Sequence, residues 1–248
     1  MKRILISVGL AAGVTAVAVG LLLASEERTA AHRIALLLGG DVLNGGYIQY
    51  MTFAAFFWAL FEIRERTGRV AGERRAFGLG LLPEKEHYVV SLDDVRRIQK
   101  EAIAHERSTR NLLTTSVRRA CTKFIRTRSV AEVIDLVGQQ AAVDRARSES
   151  DQSVIRYLLW AIPSIGFIGT VIGISLALAS AYLLLEDPDN LTEITRLLGV
   201  AFDTTLVALV LNLIAMWFFH RLQARQEDLH SDIEEHILEN FVNRISEE

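Results

Sequence analysis

Residues 162–175 read IPSIGFIGTVIGIS, and they restrict this chain more than any other stretch. They lie in an apolar run, 155–185, of about 31 residues, which as a helix is ~46 Å long. That exceeds the ~30 Å hydrocarbon core of a bilayer, so a helix here tilts or projects beyond it. A helix that only anchors would be Leu, Ile and Val throughout. This one gives up side chain at Gly166, Gly169 and Gly173, carries a hydroxyl at Thr170, and has Pro163 near its start.

Three more runs accompany it: 4–24, 46–63 and 197–220. Half of the 248 residues are hydrophobic while 23% are charged, a combination that fits apolar residues gathered into membrane spans. The first run follows Lys2 and Arg3 and has the outline of a secretory signal. It is long for a signal core, however, and Leu22 stands where cleavage after Ala24 needs a small residue. A retained helix is expected.

Basic residues set the orientation. Arg64, Arg66, Arg69, Arg74 and Arg75 crowd the exit of the second run, and Arg145, Arg147 and Arg156 the entry of the third. By the positive-inside rule the segment between them is cytoplasmic, as are both termini. The expected fold is an all-α polytopic membrane protein with four transmembrane helices and helical cytoplasmic extensions. Its order is transmembrane helix 1–24, periplasmic segment 25–45, transmembrane helix 46–63, cytoplasmic helical domain 64–154, transmembrane helix 155–185, periplasmic hairpin 186–196, transmembrane helix 197–220 and cytoplasmic amphipathic helix 221–248.

In the cytoplasmic segment, residues 68–90 hold Gly68, Gly72, Gly78, Gly80 and Pro83 and read as loop. Helix is expected from Ser91, an N-cap followed by acidic residues, and again from Ser129. In the tail, Leu222, Leu229, Ile233, Ile237, Phe241 and Ile245 recur at helical spacing. Arg96, Arg97, Glu101 and Arg107 read as a solvated helix face.

Wound at 3.6 residues per turn, the third run places Pro163, Gly166, Thr170, Gly173, Ala177 and Ser180 on one face. The fourth places Ala201, Thr205, Ala208, Asn212 and Ala215 on one face. Two explanations fit these stripes. Small residues let membrane helices pack closely, as Gly169-xxx-Gly173 spacing does, with the hydroxyls bonding back to their own helix. Alternatively the stripes line a lumen, where Thr170, Thr205 and Asn212 offer polar atoms to a passing ion. Asp203, an acid within a membrane run, is a functional candidate by default. It lies about 200° round the helix from Thr205, which suits a gating or structural role, with Arg196, the interface or a neighbouring subunit as its partner.

The third-run stretch resembles a signature of the MotA/TolQ/ExbB proton-channel family, matching at Pro163, Gly166, Gly169, Thr170, Val171 and Gly173. The fourth run resembles the family's next signature at Ala201, Thr205 and Leu209, with Phe202 and Ala208 substituted. The chain departs from the Tol and Exb branches at Leu213-Ile214, where a proline is common, and at Val200, where an acid is common. Its extra first helix looks more like the flagellar-motor branch.

The resemblance implies a bacterial inner-membrane subunit that forms a homopentamer. The pentamer would surround two copies of a single-transmembrane-helix partner, and that partner's membrane aspartate would meet Thr170 and Thr205 while H+ or Na+ flows and drives mechanical work. Pro163, Gly166, Gly169, Gly173, Ala177, Ala201 and Ala208 would then pack the helices and wall the lumen. A non-conducting oligomeric scaffold or signalling protein is the alternative. No cofactor, metal or nucleic-acid partner is expected, the net charge being −3. An enzyme is not expected either, because the six histidines show no metal-ligand spacing and there is no nucleophile arrangement. Cys121 is alone, so no internal disulfide is possible.

Overall fold

The computed structural model describes residues 2–26, 29–83, 88–181 and 190–245. Its described residues are helical throughout, apart from turns and one isolated parallel bridge between Val90 and Ile245. Eight α-helices follow in order: α1 (Lys2–Ala24), α2 (Ala30–Leu37), α3 (Tyr47–Arg74), α4 (Leu92–Ser108), α5 (Leu112–Thr127), α6 (Val130–Asp151), α7 (Ser153–Ser180) and α8 (Asn190–Asn240). By length and composition three of them, α1 and the helices α7 and α8, contain stretches apolar enough to cross a membrane. The helix that covers the expected second run, α3, is not among these.

The chain divides into two compact units, Met1–Arg64 with Ser153–His220, and Glu65–Gln152 with Arg221–Glu248. In the first, α7 and α8 are antiparallel neighbours. A Cβ built on Gly173 would meet that of Ala201 at 2.6 Å, and one on Gly169 would meet the Thr204 hydroxyl at 2.5 Å. As the residue number rises on α7, it falls on α8. Ile162 and Phe56 share a buried cluster with Ala208 and Ala215, and Gly169 faces Ile48, so α3 also runs against α7. Along α3, Ile48, Phe53, Phe56, Ala59 and Ile63 are buried. Pro163 stands inside α7, where it has no N–H to give the preceding turn.

In the second unit, α4 buries Val95, Ile98 and Ala102, and α5 buries a wider face that includes Leu113, Val117, Ala120, Cys121 and Phe124. Burial pushes the Cys121 thiol up to about 12, so it is inert at neutral pH. Ser91 caps α4 with a reciprocal capping box to Asp94, and Ser129 caps α6. From the tail, Leu222, Leu229, Ile233, Ile237 and Phe241 are buried.

The structure corrects one expected element. The expected loop 68–90 is helical as far as Arg74 and continues as a 3₁₀ turn over Arg75–Leu79. Gly68 and Gly72 have open space around them. Each costs the helix ~1 kcal/mol, which is offset where Val70 is buried and Arg69 pairs with Glu65 at 2.5 Å. The rest of that loop, 84–87, lies outside the described residues. The segment 25–45 contains α2, and the hairpin 186–196 is already helical from Asn190. Residues 182–189 of the third run and hairpin lie outside the described residues.

Candidate functional site

Gly166, Gly169 and Gly173 are buried, and each faces α8 rather than open space. Without side chains there, the two backbones come close enough for hydroxyls on one helix to reach carbonyls on the other. Thr170 Oγ1 has one proton to give and shares it between the Ala201 carbonyl, at 3.0 Å, and Thr205 Oγ1. Thr205 Oγ1 donates to the Gly166 carbonyl at 2.9 Å. Thr204, fully buried, donates to the Ala201 carbonyl at 2.7 Å and reaches the Gly166 carbonyl at 3.3 Å. Three hydroxyls and two carbonyls thus gather at one level of the α7–α8 contact. Thr170 and Thr205 are only half-buried, so this oxygen cluster has one side open to whatever lies against the helix pair.

The predicted residues therefore separate. Thr170 and Thr205 meet. Ala201 and Ala208 are buried against the glycines as packing partners, and Ala177 is buried further along α7. Asn212 stands two turns beyond Thr205 and is not drawn into the cluster. Its Nδ2 contacts the Met216 sulfur at 3.6 Å, and its buried Oδ1 has no partner among the described residues.

Asp203 is not paired with Arg196. Its two carboxylate oxygens accept a fork from Arg33 at 2.6 and 2.7 Å, with the carboxylate 3% exposed. Arg196 instead holds Asp41 at 2.9 Å. The reason is geometric: Arg196 and Asp203 lie on the same helix two turns apart, so each must find its opposite charge on a neighbouring element.

Two residues of this arrangement, Thr204 and Arg33, were not among the candidates taken from the sequence. Thr204 is 100° round α8 from Thr205, and its signal was its adjacency to that residue. Arg33 lies outside every apolar run and carries no periodic signal of its own. Asp203's need for a buried counter-charge, set against the scarcity of basic residues in 25–45, pointed to it.

The matching family model is the MotA/TolQ/ExbB proton channel family, over residues 95–235. The chain belongs to the MotA/TolQ/ExbB proton channel family. No curated protein and no solved structure matches it.

Proposed function

We propose that the chain is the channel-forming subunit of an ion-motive-force-driven motor. Five copies surround a pair of single-helix partners, and the partner's membrane aspartate passes H+ or Na+ along Thr170 and Thr205. Both termini are cytoplasmic, the location is the bacterial inner membrane, and four helices cross. No bond is made or broken, so the protein is not an enzyme.

The observation that carries this reading is the oxygen cluster of Thr170, Thr204 and Thr205 at the family's signature glycines, with Thr170 and Thr205 half-buried. The fourth crossing is α3. It needs less apolarity than the others because it buries Ile48, Phe53, Phe56, Ala59 and Ile63 in protein rather than offering them to lipid. Arg3 of α1 meets Glu62 near the far end of the apolar part of α3 at 3.3 Å, which places those two ends together as antiparallel crossings require.

The energy scale is suitable. One elementary charge crossing 100 mV releases ~2.3 kcal/mol, comparable with the ~1–3 kcal/mol that separates alternative packed states.

The test is ion flux into vesicles carrying the native complex, compared with Thr170→Val and Thr205→Val, which keep shape and remove the hydroxyl. Flux is expected to fall by at least about tenfold, in line with the loss of one preorganised polar partner, at an unchanged amount of assembled complex. Wild-type flux in both variants would remove the threonines from the pathway. A wild-type complex with no flux in any state would instead describe a scaffold.

A further inference from the structure

α2 and the turn after it are built as a fixture rather than as a connecting loop. Thr29 caps α2 by accepting from the His32 amide at 3.2 Å. At its other end the carbonyls of Leu36 and Leu37 accept from buried Gln49 of α3 at 3.4 and 3.3 Å. The turn that follows has no spare room. A Cβ on Gly40 would lie 2.8 Å from the Ala18 carbonyl oxygen of α1, and one on Gly46 2.7 Å from the Asp41 carbonyl oxygen. Gly45 combines φ +117° with a Cβ position 2.6 Å from the Val200 side chain of α8.

From this fixture two ion pairs run to α8 with opposite polarity. Arg33 forks onto Asp203, and Asp41 accepts from Arg196. Arg196 and Asp203 are seven residues apart and share one face of α8. A rotation of α8 by one residue, or a slide by one turn, strains both pairs at once. Asp203 immediately precedes Thr204 and Thr205, whose bonds to Gly166 and Thr170 depend on that rotation.

We infer that Arg33, Asp41, Arg196 and Asp203 are positioning residues that hold α8 at the rotation which assembles the threonine cluster. For its flux readout this rests on the proposed channel function; for its structural readout it does not. They act through the backbone of α8, and a fork of two parallel N–H···O bonds fixes direction as well as distance.

A double-substitution cycle tests the inference on the full chain in its native complex. The variants are Arg33→Gln, Asp203→Asn, and the two together. Either single change leaves one charge unpaired, whereas the double replaces the ion pair by facing amides of similar shape. The first readout is amide hydrogen exchange of residues 200–206 by mass spectrometry, and the second is ion flux in vesicles.

Each single variant is expected to speed exchange and lower flux by about tenfold or more, since small misplacements of a working group cost that much. The double variant should recover most of both. Arg33→Lys, at the half-exposed end of the pair, keeps the charge but loses the fork and should fall between wild type and Arg33→Gln. Wild-type exchange in both singles, or effects that multiply in the double, would overturn the inference. Coupled exchange in a complex that conducts nothing would uphold the positioning and overturn the channel reading instead.

Discussion

Glu106 on α4 accepts from the Arg118 guanidinium at 2.6 Å and from the Thr115 hydroxyl at 3.2 Å. The Arg118 hydrogen bond holds its carboxyl below the ordinary 4.5, against a smaller opposing effect of burial. A carboxyl lowered by folding contributes stability that is present above its ordinary value and is lost as pH falls through the lowered folded value. Glu106→Gln is therefore expected to weaken the second unit by about 1 kcal/mol at neutral pH and to make no difference in strong acid. Cys121, buried in the same unit, reports its opening. Labelling by a dipyridyl disulfide, which reacts with thiols in acid and at neutral pH, should run about fivefold faster in the variant at pH 7, as ~1 kcal/mol implies. That gap should close below 4.5. An equal gap at both pH values would show that the Glu106–Arg118 bond is not the source.

Among the elements, the α7–α8 contact is where a single methyl group should be felt most. Gly173→Ala puts a Cβ 2.6 Å from that of Ala201, and overpacking of this kind costs about 1–3 kcal/mol. This outweighs the gain in helix propensity of up to about 1 kcal/mol. Gly138→Ala in α6 meets open space and should stabilise by about 0.5–1 kcal/mol. The thermal midpoint of the detergent-solubilised protein is expected to drop for the first and to hold or rise for the second. Equal shifts would mean that the glycines of α7 are not packed as described.

The same contact shows what a sequence can and cannot display at this scale. Winding α7 and α8 separately puts Gly166, Gly169 and Gly173 on one face and Ala201, Thr205 and Ala208 on another. Nothing in either periodicity says that these two faces meet each other rather than another molecule. The caps at Ser91 and Ser129 were legible because a cap is a local pattern of one hydroxyl and a nearby amide. The extension of α3 through Gly68 and Gly72 was not, because burial of Val70 in the folded chain overrides the local glycine penalty.

For the whole molecule, the two units differ in the surface they present. The first exposes Tyr157, Trp160, Phe167, Ile168 and Leu178 on α7, and Phe202, Leu206, Leu213 and Trp217 on α8. The described residues of the second expose few large apolar side chains, among them Leu79, Val89, Ile134 and Val143. Apolar surface on that scale suits lipid or neighbouring copies rather than water. The division was visible in the sequence as concentrated apolar runs against charged, amphipathic stretches. The site was visible in part. Thr170 and Thr205 were legible from spacing, but the Arg33–Asp203 pair joins residues 170 positions apart, and a long-range pair leaves no periodic trace in a single chain.

The central claim is that the half-buried side of the threonine cluster faces an ion pathway at the centre of an assembly. An experimental density map of the native complex tests it most directly. The account predicts five copies of this chain with Thr170 and Thr205 turned toward a central pair of partner helices. A map in which those hydroxyls face lipid, or in which no space for a partner helix exists on that side, would contradict it.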